Sequence, residues 1–576
     1  MIIFDPSSFA PQTLILGAMP LNADPKNTIA SGPWCFAGQE NLFPGWEKKF
    51  HFAPEPFAKN ADLEEAVLAA QALCLKGIDP VSHLLSPYPE RLPDLYWQIL
   101  LMPWLINICS QIVERNIRCV EMVKKYGHLN LSVPVMGLRH EFKFKDEQDF
   151  TLRGNLGIDF NFWLFSRILE PIWPPAWKKI VVEDSGFSGE VSNINNGNEP
   201  LIKKFFRKFN LSLPFPKLKG MSLLQACKFS RALLHPCRQK DHSLNLKKFF
   251  SLIDGIKSDL SIDPLLIFKA ALPESIKNLT HPASIKKIHK PHLRIASVNL
   301  YENANYRQNM AIWRASGNRL GFVQHGGNYG QIAVSCDRQL TEYSQDIFFT
   351  WGWKKQGNAK GNFVPLPYPQ LQKIQNKWGN KNKKIIFTGT EMPVFGYRLE
   401  SRPTPLQTVQ YREDKAIFFS TLHSDLREIT YYRPYFDLPG TLVDAPWILA
   451  RFPSLKLCSG NLLEQIMECN LLILDHHGTT MLEAFVANIP TILYWQKEAW
   501  PLCPEAASLL VMLETAGIWH SSPEEAALKV NSIWPNTAEW WNSPPIQQAR
   551  LQFCSQQANF IQGDENPLWI SILKKQ

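Results

Sequence analysis

The stretch Leu471-Leu472-Ile473-Leu474-Asp475-His476-His477-Gly478-Thr479-Thr480-Met481-Leu482-Glu483 constrains this chain more than any other. Four apolar residues, a short polar turn with a glycine, and then helix-forming residues predict a buried strand that enters a helix through a tight loop. Asn488-Ile489-Pro490-Thr491-Ile492-Leu493-Tyr494 follows at once and reads as another buried strand. Two strands joined through a helix pair in parallel, and a parallel sheet is covered by helices on both faces. The expected class is therefore α/β. Such sheets bind ligands beyond the carboxyl ends of their strands, which is where Asp475, His476, His477 and Gly478 fall.

That junction suits an anion. Gly478 lacks a Cβ and lets a ligand approach the backbone. Thr479 and Thr480 open the helix, so their hydroxyls join amides that have no partner within the helix, at its positive end. A diphosphate is the natural occupant. His476 and His477 flank it, or one of them only braces the loop with Asp475. Glu483 lies one turn further in, able to reach a ribose hydroxyl or to cap its own helix.

The same alternation extends in both directions. Thr13–Leu16 reads as the first strand, Asn60–Lys76 as a helix and Tyr96–Val120 as a long helical core. Ile295–Leu300, Leu320–Val323 and Asp346–Trp351 read as strands, and so do Ile385–Thr388 and Ala416–Ser420. With 576 residues more than one domain is expected. The polar stretch 376–384 divides residues 1–375 from 385–540, and residues 541–576 form a helical tail.

A second candidate site follows the strand Leu320–Val323. In Gln324-His325-Gly326-Gly327-Asn328 a histidine stands next to paired glycines. Its ordinary pKa of ~6.5 makes it a workable proton acceptor, and the glycines leave room for substrate; the alternative is a histidine that only holds its loop. Glu302, Asn303, Asn305 and Tyr306 follow a neighbouring strand and would face the same cleft. Arg433, in Tyr431-Tyr432-Arg433-Pro434, has the planar fork that pairs with phosphate, unless it is an ordinary surface arginine. Trp34 is a candidate to stack on a sugar or base, although large cores use tryptophan too. There is no D-x-D triplet, G-x-x-x-x-G-K-[ST], H-E-x-x-H or G-x-S-x-G. No metal and no cofactor are expected, and a P-loop NTPase, a common zinc peptidase and a standard α/β-hydrolase are disfavoured.

Taken together, these motifs resemble known transferases. The run from Gly478 to Thr491 is similar to the donor-binding half of GT-B glycosyltransferases and of CDP-glycerol glycerophosphotransferases. With Gly32-Pro33-Trp34-Cys35 and Gln324-His325-Gly326-Gly327-Asn328-Tyr329-Gly330, it also resembles a bacterial transferase family encoded among surface-carbohydrate genes. The resemblance implies a GT-B-like architecture: two Rossmann-like doubly wound domains facing a cleft, the first enlarged by helical insertions. It implies a nucleotide-activated sugar or alditol donor held by the C-terminal domain, and a glycan or lipid-linked acceptor. His325 would be the base. Alternatives are alditol-phosphate transfer, a GT-B-shaped epimerase and a non-catalytic carbohydrate- or nucleotide-binding scaffold.

Charge adds one feature. The chain carries 61 Lys and Arg against 52 Asp and Glu, too small an excess to argue for nucleic acid, and no nucleic-acid partner is expected. The window 201–250 alone holds twelve Lys or Arg and one acid, Asp241, with Lys203-Lys204-Phe205-Phe206-Arg207-Lys208-Phe209 as its sharpest part. It reads as a contact with an anionic membrane surface, as steering for an acidic glycan, or as a solvated face with its phenylalanines inward. The stretch Asp184–Pro200 before it reads as a loop. The eleven cysteines lack metal spacing and read as reduced, buried thiols. No signal peptide is recognisable, and Leu95–Ile108, broken by Gln98 and Pro103, is shorter than the ~20 residues that span a bilayer. A cytoplasmic protein is expected, peripheral at the inner membrane face if the basic window binds lipid.

Overall fold

The structure, a computed structural model, describes residues 10–137, 142–183, 213–237, 260, 262–379, 382–436 and 438–576. The chain is α/β, and among the described residues every pairing between its strands is parallel. Three sheets carry it. The first contains β1 (Thr13–Ile15), β2 (Thr28–Ala30), β3 (His51–Phe52), β4 (Ser132–Met136) and β5 (Lys178–Val182), in the order β3-β2-β1-β4-β5. The second runs β6 (Leu293–Ala296), β7 (Arg319–Val323), β8 (Ile347–Thr350) and β9 (Phe363–Pro365), in sequence order. The third contains β10 (Ile385–Thr388), β11 (Thr430–Arg433), β12 (Lys456–Leu457), β13 (Leu471–Leu474), β14 (Thr491–Tyr494) and β15 (Trp519–His520), in the order β12-β11-β10-β13-β14-β15. The part before the 376–384 segment thus holds two sheets.

In the third sheet the winding reverses between β10 and β13, so the loops that leave these neighbours diverge and open a crevice at their carboxyl ends. Both strands are wholly buried and read as continuous apolar runs, as strands covered on two faces do. The expected strand Ala416–Ser420 is instead the end of a helix, Pro405–Thr421. Thr404 and Gln407 form a capping box with Pro405 at the first position, and the apolar run that looked extended turns Phe418 and Phe419 into the core. The true neighbouring strand, β11, carries Arg433 at its end rather than in a loop.

The helix Asp94–Tyr126 contains Pro103 and is long and apolar enough to cross a membrane by length and composition. However, 89% of its most apolar window is buried inside the protein, against the helices Asn60–Leu85 and Ala304–Ala315. The segment that follows β9 is pinned to the third sheet: Asn376 N–H donates to Val486 O and Trp378 N–H to Ala487 O. The C-terminal helix Asn566–Lys575 returns to the second sheet, where Trp569 packs on Phe215, Phe229 and Phe349. Asp184–Pro200 and the Lys203–Phe209 cluster lie outside the described residues. In the described part of the basic window Phe215 and Phe229 are core, while Lys228 and Arg231 face solvent.

Candidate functional site

β13 ends at Leu474, and the chain turns through Asp475, His476, His477 and Gly478 into the helix Thr479–Ala487. Gly478 holds φ 146°, a backbone angle that side-chain-bearing residues rarely adopt, and nothing but the His476 ring would lie within 4 Å of a Cβ there. No side chain caps the helix. Thr479 and Thr480 are half-buried at this open start.

The surroundings of the other predicted residues divide them. Asp475 is fully buried; its Oδ1 accepts from His476 Nδ1 at 2.8 Å, which fixes the ring and leaves Nε2 as the acceptor nitrogen. Asp475 Oδ2 lies 3.9 Å from Lys415 Nζ, in a buried cluster where Lys415 also meets Tyr432 and Asp444. His477 is buried against Trp495 and Trp500, and burial pushes its pKa down to about 3. It is a neutral core ring beneath the loop. Glu483 neither caps its helix nor stands free, because its Oε1 accepts from Lys219 Nζ at 2.9 Å. Arg433 is half-buried on the same sheet edge, two strands from β13, with Nη1 donating to Cys458 O at 3.2 Å. Its guanidinium makes no hydrogen bond, among the described residues, to the helix start.

The loop after β7 is brought directly to that helix. Gly327 packs so closely on the Gly478–Thr479 peptide that a Cβ on it would overlap the Thr479 amide nitrogen. The glycine is there for the close approach of two backbones, and its room is taken by protein. Gln324 is fully buried and acts as a brace: its Oε1 accepts from Trp351 N–H and Trp353 Nε1–H, and its Nε2 donates to Gly326 O. It does not reach substrate space.

Gly326, His325 and Asn328 do. They line a cavity of about 600 Å³, within the range of small-ligand sites, whose wall also includes Trp104, Tyr301 and Glu302. Asn303 lines it as well, while its side chain caps the helix Ala304–Ala315 by accepting from Tyr306 N–H. Tyr306 is buried and Asn305 exposed. The candidate Trp34 belongs elsewhere. It is buried between the rings of Phe165 and Phe395 and donates to Leu16 O and Ser31 Oγ, so it is a core residue of the first sheet.

His325 has 28% of its side chain exposed to the cavity. Tyr329 Oη lies 3.2 Å from Nε2 and 3.3 Å from Nδ1 and donates to Glu342 Oε1 at 3.0 Å; Tyr301 Oη donates to the same oxygen at 2.7 Å. Burial, with help from the Arg338 guanidinium, lowers the His325 pKa to about 4, so the ring is neutral at pH 7 and a weaker base than a free imidazole. Burial raises Glu342 to about 7. Sequence reasoning missed Glu342, Tyr301, Arg338 and Arg398, which come from separate segments with no spacing to mark them. Among the described residues, no group of three or more His, Cys, Asp or Glu side chains is placed to hold a metal ion.

The arrangement places a neutral imidazole on a polar cavity, while the start of the 479–487 helix lies against the Gly327 backbone and does not line that cavity. Among solved structures, the chain is similar to a mutant O-GlcNAc transferase of Thermobaculum terrenum, at 11% identity over 93% of this chain and 86% of that one. The TM-score is 0.25, too distant a likeness to support an inference. No curated protein matches the chain. The family comparison is different in kind: residues 12–573, nearly the whole sequence, match the LIC12162 family of transferases, and the chain belongs to that family.

Proposed function

We propose that this transferase is a GT-B-like glycosyltransferase, independent of a metal ion, that moves a sugar from a nucleotide-activated donor to a surface polysaccharide or lipopolysaccharide acceptor. One observation carries the reading. The His325 loop of the second sheet packs, through Gly327, on the uncapped start of the 479–487 helix of the third, and His325 itself lines a polar cavity alongside that contact. The donor's phosphoryl oxygens would meet the amides and hydroxyls of Thr479 and Thr480, where an uncapped helix start stabilises the negative charge that builds on the leaving group. The acceptor hydroxyl would attack the anomeric carbon as its bond to phosphate breaks. His325 takes the hydroxyl proton, and the Tyr329–Glu342 pair supports the ring from behind.

The test is a panel of nucleotide donors, with and without glycan acceptors, read as free nucleotide. His325→Ala is expected to lower turnover by about 10²–10⁴-fold, the usual worth of a general base, with nucleotide affinity nearly intact. Replacing Thr479 and Thr480 by Val is expected to weaken nucleotide binding instead. Unchanged transfer by the His325 variant would remove the base, and failure of every donor to release nucleotide would remove the reaction.

A further inference from the structure

Two guanidiniums stand in the cavity wall with no carboxylate within 4 Å among the described residues. Arg338 is only 6% exposed, a setting in which a charge is costly unless it is paired. Its Nη2 donates to Asn328 Oδ1 at 2.9 Å and its plane lies over the Tyr329 ring, yet its Nη1 is buried and has no hydrogen-bond partner among the described residues. Arg398 enters from the segment after β10 and exposes its side chain where the same cavity opens. Both act electrostatically on His325. The neighbouring acids offset this charge only from beyond ion-pair distance: Asp337 and Glu400 attract Arg338, and Glu400 and Glu391 attract Arg398, while Asp337 accepts from Ser335 Oγ at 2.8 Å and Glu400 pairs with Arg402 at 3.5 Å. Arg338 Nη1 and the exposed Arg398 fork are therefore open to a further acceptor, at a place separate from the 479–487 helix start.

The rest of the wall narrows the anion. Asp146, Glu147, Glu302, Asp337 and Glu400 line the cavity too, with Glu147 paired to Arg307, so a polyanion would be repelled, while a ligand with a single charge and many hydroxyls would find acceptors for its O–H groups. Tyr301, which is half-buried, adds aromatic surface for the apolar face of a sugar ring. We infer that the cavity bounded by Arg338, Arg398 and His325 binds a sugar that carries a carboxylate, with the two guanidiniums on the carboxylate and the cavity's own acids on the hydroxyls. A planar carboxylate is matched by the planar fork of arginine. The inference rests on the glycosyl-transfer reading for what such a sugar does there, as acceptor or as transferred unit, and not for its binding.

Equilibrium titration of the full chain with glucuronate, glucose and inorganic phosphate tests it without any turnover. Glucuronate is expected to bind at least about tenfold more tightly than glucose, and Arg398→Gln, an exposed position that does not threaten folding, to abolish that preference. Glu302→Gln is expected to weaken both sugars alike and leave the preference in place. Equal binding of glucuronate and glucose, no detectable binding of either, or a preference unchanged in Arg398→Gln would overturn the assignment. Arg398-dependent binding of phosphate without a preference for glucuronate would also overturn it, since the guanidiniums would then serve a phosphoryl group. If glucuronate binds through Arg398 but no donor is ever turned over, the carboxylate site stands and the transfer reading falls.

Discussion

A carboxyl group cut off from water keeps its proton unless donors or cations hold the charge. Glu342 receives hydroxyl donors from Tyr301 and Tyr329 on one oxygen, while its other oxygen is buried without a partner among the described residues, and burial prevails, raising the pKa to about 7. The folded state therefore binds a proton between about pH 4.5 and 7 that the unfolded chain releases. The stability this group contributes is complete below about 4.5 and is lost as pH rises through 7. Glu342→Gln lacks that loss, so its stability relative to the parent should improve by on the order of 1–3 kcal/mol between pH 4.5 and 7.5. His325 works in the opposite direction over the lower part of this window, since its pKa is depressed to about 4 and its contribution falls as the solution is acidified. Urea midpoints of both proteins at the two pH values measure the difference, and a constant offset would mean that Glu342 is ionised throughout. None of this was legible in the sequence, where Glu342 is one acid in Thr341-Glu342-Tyr343 and burial alone makes it unusual. His325 was legible because the paired glycines mark a loop at a strand end. Trp34 misled for the converse reason: the glycine- and proline-containing loop that suggested a ligand contact folds back and inserts the indole between two core phenylalanines.

At the scale of elements, the informative contact joins a loop of one sheet to a helix start of another. Gly326 and Gly327 are adjacent in sequence and opposite in surroundings. A Cβ on Gly326 would find nothing nearer than Tyr329 Cε2 at 3.7 Å, whereas one on Gly327 would enter the Gly478–Thr479 backbone, which has no flexible end to move aside. Gly327→Ala should therefore cost about 1–3 kcal/mol of stability through overpacking. It should also cut transfer by tenfold or more, since small misplacements of a reacting group are amplified in rate. Gly326→Ala should leave stability nearly unchanged, and thermal melts with turnover on the same preparations separate the two. The strands and helix of this junction follow from local pattern: Leu471–Leu474 and Thr491–Tyr494 are wholly apolar or β-branched, and Asn488 closes the intervening helix in a left-handed conformation with φ 66°. The error at Ala416–Ser420 arose where pattern is weakest. A short apolar run fits either element, and the deciding capping box lies twelve residues upstream.

At the scale of the whole molecule, the cavity is lined by segments from the regions of all three sheets, and the ties between those regions are buried polar contacts as well as apolar packing. The third sheet's helix Pro405–Thr421 presents Arg412 to Glu40, from a turn in the first-sheet region. Both groups are nearly sealed from water, with Arg412 1% and Glu40 8% exposed at the side chain. Glu40 accepts from Arg412 Nη1 and, at 2.8 Å, from Val443 N–H, while Arg412 also lies over Trp447. Pairs of this kind are not strongly stabilising as pairs, because both ions lose their hydration, but removing one partner strands the other. Glu40→Ala should therefore destabilise the protein by about 3–5 kcal/mol, whereas Glu40→Gln keeps an acceptor and should cost less. An exposed pair gives the contrast: Glu514→Ala, which breaks the contact with Lys497, should cost less than about 1 kcal/mol. If the Glu40 tie sets the cleft as well as the stability, Glu40→Gln should reduce nucleotide binding and transfer together at temperatures where the variant remains folded. Full activity in that variant would mean that the surrounding apolar packing alone holds the sheets in register.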